Sequence, residues 1–505
     1  MELELQKESF EHYQKGATVA DFHEERAETI VPDYSPDIRR IVDVSACLFR
    51  RSMELTDGRL TVTGTVKLTL LFLAEGETRL RALDYSIPFE HTPEARFPED
   101  AIISAEGRLC GAEAQLLNPR KLSTRLDIDW RLTPYRKATL TLSSGVTEGN
   151  RYAVQTLNEQ QDISLIESVA VRDFSFADEL TLPGGREETP ELLSAAVNHR
   201  VTECRSIGSK VVLKGVACLR LLYAAEGNRI LSHAEELPFS QILDGGPEGS
   251  GELGVSAALS LIGCEIHTAE GGAVRAVLQF SAFVVLRRSI SVSCVTDLYS
   301  TLWELKAEAE TVDLHRPPKI SVVSQSVREQ LETGTEVKSV LSADVCFGSV
   351  TARQEGGKTM LRSAVALKVL YLDESGAPLS AQRRIEVTAE AAVNGEATAS
   401  VENICAGDIT ASVNAEGVEL RFPVNFTLVE QTTVSCPSLL SLSAEESDAA
   451  EKVPSLVLRA LNEGERLWDL AKQYRTTVEE ILSANELADE AAAELGRLLL
   501  IPRKR

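Results

Sequence analysis

One alternating stretch occurs three times along the chain. From Leu60 to Phe72 the even positions are apolar or glycine (Leu60, Val62, Gly64, Val66, Leu68, Leu70, Phe72), and the odd positions through Thr69 are Thr or Lys. A two-residue period buries one side of a strand and leaves the other polar. The run recurs as Leu213, Gly215, Ala217, Leu219, Leu221 and Tyr223, and again as Leu361, Ser363, Val365, Leu367, Val369 and Tyr371. Each copy ends in an aromatic residue followed by a Glu-Gly or Glu-Ser-Gly turn, as a hairpin requires. The spacing of about 150 residues is that of a domain and exceeds any solenoid period.

Each copy continues into a second alternating block. These are Leu122 to Leu132, Ala276 to Leu286, and Val418 to Leu428. Pro423 interrupts the third, predicting an edge strand or a bulge. Asp127 and Asp129 fall on the wet side of the first block, where alternation explains them without paired-carboxylate chemistry. The expected fold is mainly β: three repeated antiparallel β-sandwich-like modules followed by a small βααβ domain. The expected boundaries are a leader segment at 1–30 (a helix or an arm before the first strand), modules at 31–150, 151–301 and 321–436, a stiff connector at 302–320, a Ser/Glu/Ala linker at 437–455 and the small domain at 456–505. The double proline Pro317-Pro318 hints that the modules stand apart.

Charge narrows the partners. The net charge of −24 argues against nucleic acid and against an anionic bilayer. No apolar run reaches transmembrane length, and Met1-Glu-Leu-Glu-Leu lacks the layout of a signal peptide, so a cytoplasmic location is expected. Nine cysteines without a C-x-x-C spacing are expected as small reduced core residues. The seven histidines stand apart, and no nucleophile elbow, P-loop or H-E-x-x-H pattern occurs. No enzyme activity, cofactor or metal site is therefore expected.

The last fifty residues change character. Val457–Leu461 reads as a short strand. Leu467, Leu470, Ala471 and Tyr474 follow helical spacing, and Thr476 or Thr477 caps a second helix carrying Val478, Ile481 and Leu482. Gly496 to Pro502 closes as a strand. With Gly464-Glu465-Arg466-Leu467-Trp468-Asp469-Leu470-Ala471, Tyr474, Ala484-Asn485 and the closing Ile501-Pro502, this segment resembles a LysM domain. The resemblance implies a groove for N-acetylglucosamine polymers between two loops. One loop is Gly464, Glu465, Arg466 and Leu467; the other is Asn485, Glu486 and Leu487. The chain departs from the family at Glu465-Arg466, which replace Asp-Thr, and at Arg475, which stands where a glycine normally ends the helix. Trp468 is read as LysM core. Residues 456–505 carry eight basic and nine acidic side chains, so nearly all the negative charge lies on the body.

Two further elements, Val31-Pro32-Asp33-Tyr34-Ser35-Pro36-Asp37-Ile38 and Asn118-Pro119-Arg120-Lys121, resemble the DUF3794 (SPOCS) family, as does Thr296 to Thr301. The first of these reads as an entry turn, with a partner-docking loop as the alternative. DUF3794 repeats followed by one LysM resemble the SipL-type spore-coat morphogenetic proteins. That resemblance implies a mother-cell protein at the forespore surface. Its partners would be the spore-coat morphogenetic ATPase (stage IV sporulation protein A) and other coat proteins. Two function classes stand: a non-enzymatic coat-assembly scaffold, and a peptidoglycan-binding protein tethered through its LysM.

Overall fold

The computed structural model describes residues 1–183, 190–225, 229–244, 253–269, 272–393, 395–446, 456–462, 464–493 and 496–503. The first module contains β1 (Leu5–Lys15), β2 (Val19–Ile30), β3 (Ile38–Thr56), β4 (Arg59–Ala74), β5 (Leu80–His91), β6 (Ile102–Asn118) and β7 (Lys121–Val146). The second contains β8 (Val154–Thr181), β9 (Glu191–Ile207), β10 (Lys210–Ala225), β11 (Arg229–Asp244), β12 (Gly254–Thr268) and β13 (Ala273–Ser300). The third contains β14 (Trp303–His315), β15 (Lys319–Glu332), β16 (Val337–Glu355), β17 (Lys358–Asp373), β18 (Pro378–Ala391), β19 (Ala397–Ala406), β20 (Thr410–Asn414) and β21 (Gly417–Glu446). The small domain runs β22 (Leu456–Ala460), α1 (Leu467–Tyr474), α2 (Val478–Ala484) and β23 (Leu498–Pro502).

The thrice-repeated run is the middle strand of an antiparallel meander, β3-β4-β5, β9-β10-β11 or β16-β17-β18. Its apolar side packs on a second sheet to form a sandwich. In the first module Val62, Val66 and Leu68 meet Leu126, Ile128, Trp130 and Leu132 of β7. A bulge falls beside the central strand's Gly64, Gly215 and Ser363, at Arg50/Ser52, Lys214/Gly215 and Phe347/Val350. The turn of the second copy at Glu226-Gly227 lies outside the described residues.

Three expected boundaries change. Residues 1–30 are neither helix nor leader: β1 and β2 together form the first strand of module one, both paired with β7. The expected connector is the first strand of module three, because β14 and β15 both pair with β21. Residues 437–446 of the expected linker continue β21, and 447–455 lie outside the described residues. In module two the corresponding strand, β8, is unbroken over 28 residues. Proline explains the difference. The β1/β2 break lies opposite Pro134, and the β14/β15 break holds Pro317 and Pro318, whereas β8 contains no proline. Pro423 sits on a central strand rather than at an edge. Its neighbour is interrupted instead, between β19 and β20, where Gly407 N–H donates to the Pro423 carbonyl at 2.9 Å.

The modules pack closely. The far halves of the long strand pairs form three ribbons that share a core of Leu140, Leu142, Ile163, Leu165, Val292, Cys294, Leu314 and Cys436. At the other end the meanders meet through Val42, Leu73, Leu193, Leu222, Leu341 and Leu370. Polar contacts close the ring. Ser45 and Ser194 hydroxyls lie 3.0 Å apart between modules one and two, Arg220 donates to the Ala343 carbonyl at 2.8 Å between two and three, and Lys368 donates to Asp43 at 3.1 Å between three and one. Burial alone would lower the Lys368 ammonium, but Asp43 and Asp344 reverse this and raise it. Asp129 belongs to these contacts as well, accepting the Ser349 N–H at 2.8 Å. Asp127 is buried beside Arg125. The wet side assigned to both aspartates is therefore a module interface. Among the described residues no helix is long and apolar enough to cross a membrane.

Candidate functional site

The small domain builds its own core from Leu461, Leu467, Trp468, Leu470, Ala471, Ile481, Leu499 and Ile501. At the start of α1 the Asp469 carboxylate accepts the Arg466 backbone N–H at 3.1 Å, and Thr477 caps α2 in a capping box with Glu480. Arg475 ends α1 in the left-handed region, at φ 53°, taking the conformation usually left to glycine.

The two expected loops flank this core, and Leu467 and Leu487 both pack into it. Gly464 has φ +79° and nothing within 4 Å of where a Cβ would stand, so its backbone is open to a ligand. Glu465 is tied down: it accepts from Arg459 at 2.7 Å and from the Asn462 N–H at 3.2 Å. Arg466 pairs with Asp469 at 3.1 Å but remains largely exposed. Asn485 is committed internally, donating to the Ile481 and Leu500 carbonyls and accepting from the Leu500 N–H, each at 2.7 Å. Glu486 is exposed, at φ 54°. Of the seven expected residues, Gly464, Arg466 and Glu486 thus face outward, whereas Leu467, Leu487 and Asn485 hold the loops in place.

The domain is also docked on the body. Tyr299, near the end of β13, is 6 % exposed and belongs to the domain's core. Its ring meets Trp468 edge-on at 4.9 Å, and its hydroxyl donates to the Thr476 carbonyl at 2.8 Å. Asp297 accepts from Trp468 Nε1 at 2.8 Å and from Lys472 Nζ at 2.5 Å. Trp468 is core, as expected, and is a docking residue too. The docking role of Asp297 and Tyr299 was missed in sequence, although the Thr296–Thr301 motif marked the segment.

Burial pushes the Asp297 carboxyl up, but the Lys472, Trp468 and Leu298 N–H donors outweigh it, and the group lies below its ordinary value. A lowered folded value contributes stability above the ordinary carboxylate pKa and loses it as pH falls. Docking is accordingly expected to hold at neutral pH and to weaken below about pH 4. Protease sensitivity of 447–455 against pH checks this, and Asp297→Asn should flatten the profile.

A second construction joins the Val31–Ile38 and Asn118–Lys121 motifs. The Arg120 guanidinium donates to the carbonyls of Val31 (3.1 Å), Pro32 (3.0 Å) and Ser35 (3.1 Å) and to Asp37 (2.8 Å). In the other modules a tyrosine hydroxyl holds the entry turn: Tyr223 donates to the Pro183 carbonyl at 3.0 Å, and Tyr371 to the Thr333 carbonyl at 2.9 Å. The first module has Phe72 at this place and uses arginine instead. The motif therefore fixes an entry turn, with Tyr34 left 83 % exposed. Arg120→Met is expected to cost about 3 kcal/mol in urea unfolding, and Arg120→Lys to recover only part, since an ammonium cannot span these acceptors.

The remaining candidates are dispersed. His23 and His91 are not isolated: their ring centroids lie 4.7 Å apart. Of the nine free cysteines, Cys294 and Cys436 are buried, whereas Cys346 is exposed rather than a core residue. Among the described residues no group of three His, Cys, Asp or Glu side chains is placed to hold a metal ion.

The capped βααβ unit is matched by a known family. Residues 462–502 match the LysM domain family. No curated protein and no solved structure matches the chain. The LysM match covers the C-terminal domain alone, so the three β-modules are read from their own motifs and geometry.

Proposed function

We propose that this chain is a non-enzymatic assembly scaffold whose three-module body presents the LysM domain as a fixed recognition surface for another protein. The docking of Trp468 and Lys472 on Asp297 and Tyr299 carries this reading, since it orients the LysM loops relative to the body. Fixing the loops in advance lowers the ordering cost of binding. The charged side chain of Arg466 at the mouth of the first loop suits a protein surface. On the motifs of its first module, the setting is spore-coat assembly in the mother cell at the forespore surface. The partner is then the coat basement-layer ATPase, stage IV sporulation protein A, with other coat proteins.

A second reading is supported by the family match itself: the LysM binds N-acetylglucosamine polymers, tethering the chain to cortex or wall. The open backbone at Gly464 allows a sugar ring to approach. Titrating the full chain with N-acetylglucosamine oligomers and, separately, with the ATPase distinguishes the two. The scaffold reading expects ATPase binding that weakens at least about tenfold in Arg466→Ala or Glu486→Ala, and no saturable glycan binding. Glycan binding alone, lost in the same variants, would overturn it.

A further inference from the structure

Residues 456–462 and 496–505 together hold five basic and no acidic side chains, in a chain of net charge −24. They include both strands of the LysM sheet. Val457, Leu499 and Ile501 turn to the helices and join the core. Leu456, Leu458 and Leu498 turn the other way and are 50 %, 65 % and 67 % exposed. The two edges of this sheet differ. Leu500 donates its N–H to Asn485 Oδ1 and accepts from Asn485 Nδ2 at its carbonyl, each at 2.7 Å, so the outer edge of β23 is covered there. These bonds also place the main-chain groups of Leu500 away from β22. Leu458 is paired opposite Leu500, so its own N–H and carbonyl point away from β23. Alternation gives Leu456 and Ala460 the same orientation. β22 pairs with β23 alone, which leaves the N–H and carbonyl of Leu456, Leu458 and Ala460 without a main-chain partner among the described residues. No proline or bulge interrupts this edge, and its one charged residue, Arg459, is turned inward and held by Glu465 at 2.7 Å. Such an edge is open to a further strand.

We propose that β22 docks an extended segment of another protein, paired antiparallel, that is apolar in its middle and acidic at both ends. The main chain of a strand answers the open N–H and carbonyl groups at their two-residue spacing, and its alternate side chains extend the surface of Leu456, Leu458 and Leu498. The charge follows from the ends of the sheet. Arg497 precedes Leu498, which is paired with Ala460; Arg503 follows Pro502, which is paired with Leu456, and Lys504 and Arg505 come next in the sequence. Carboxylates at the two ends of the segment meet these cations. The same features disfavour other occupants. A lipid surface would bury the open main-chain groups without partners. A second copy would bring its own cations against these, on a second body of the same net charge. None of the seven loop residues lies on this edge, so binding at the loops stands or falls separately.

The test uses the full chain and a fluorescein-labelled peptide, Glu-Glu-Leu-Thr-Val-Thr-Leu-Glu-Glu, followed by fluorescence anisotropy. One saturable site per chain is expected. Leu458→Pro removes an open donor but no β22–β23 bond, so it should melt close to the parent chain while weakening binding at least about tenfold. Arg497→Glu should weaken it at least about threefold, and added salt should weaken it in the parent. Arg26→Met, which removes an exposed cation paired with Glu24 on the first module, should leave binding unchanged. The peptide itself supplies a test that needs no variant. In an antiparallel pair the peptide's leucines and valine stand opposite Leu456, Leu458 and Ala460 and turn their N–H groups toward them. N-methylation of those three residues should abolish binding, whereas N-methylation of the two threonines should leave it. The absence of saturable binding, equal affinity of the parent and Leu458→Pro, or full binding of the peptide methylated at leucine and valine would each overturn the proposal. So would a chain that ignores the peptide but floats with phosphatidylglycerol vesicles, or that pairs with a second copy in sedimentation, in either case through Leu458.

Discussion

Replacing Gly64 by serine is expected to destabilise the first module by about 3 kcal/mol, near the upper end for an overpacked core. A Cβ at Gly64 would stand 2.5 Å from the Phe89 ring and 2.4 Å from the Phe49 carbonyl. The ring lies over the glycine because the two residues are paired across β4 and β5. The second module repeats the arrangement: Gly215 is paired with Phe239, and its Cβ would meet that ring at 2.3 Å. The third module shows the alternative solution. There Ser363 takes the glycine's place, and its partner is Val387. The Ser363 hydroxyl donates to the Gly348 carbonyl at 3.3 Å. Phe89→Val placed in the Gly64→Ser chain should therefore recover about 1–2 kcal/mol of the loss, as a favourable coupling between contacting residues. Urea unfolding of the four chains of the cycle measures it. Purely additive losses would mean that ring and glycine are not packed as described.

Tyr299→Ala is expected to remove about 3–5 kcal/mol of docking energy, the range for deleting a buried aromatic side chain. The ring fills the space between β13 and the LysM core, and its loss also leaves the Thr476 carbonyl without its donor. Tyr299→Phe keeps the ring and should cost only about 1 kcal/mol. The LysM retains Leu461, Leu470, Ile481, Leu499 and Ile501, so it should detach without unfolding. Hydrogen exchange separates the cases. Protection at 295–300 should fall in Tyr299→Ala, whereas the amides of α1 and α2 keep most of theirs. Unchanged protection at 295–300 would show that the ring does not hold the domain.

The strands that could be read directly are those with one apolar and one polar side. In β4, β10 and β17 every second residue is buried, and the hydropathy pattern reports it. The LysM was legible for a related reason, because capped helices and closing strands leave local marks that do not depend on the rest of the chain. The first strands of modules one and three left no such mark. In β2 the inward positions include Asp21, His23 and Glu25, which are satisfied by side-chain pairing: Asp21 with His91 at 3.0 Å, and His23 with Glu25 at 3.2 Å. In β14 the strand is mostly exposed, with only Leu314 fully buried. Charge alternation there resembles a connector. The docking site was half legible. Asp297 and Tyr299 fall within a motif, but what they contact, a helix more than 160 residues further along, is set by tertiary packing alone.

The central claim is that the LysM domain is held fixed against the second module. Backbone ¹⁵N relaxation on the deuterated full chain tests it directly. If the contacts of Trp468 and Lys472 with Asp297 and Tyr299 hold in solution, the amides of α1 and α2 will show the same rotational correlation time as those of β13. A correlation time several-fold shorter for residues 467–484, as expected of a small domain moving on a tether, would contradict the account.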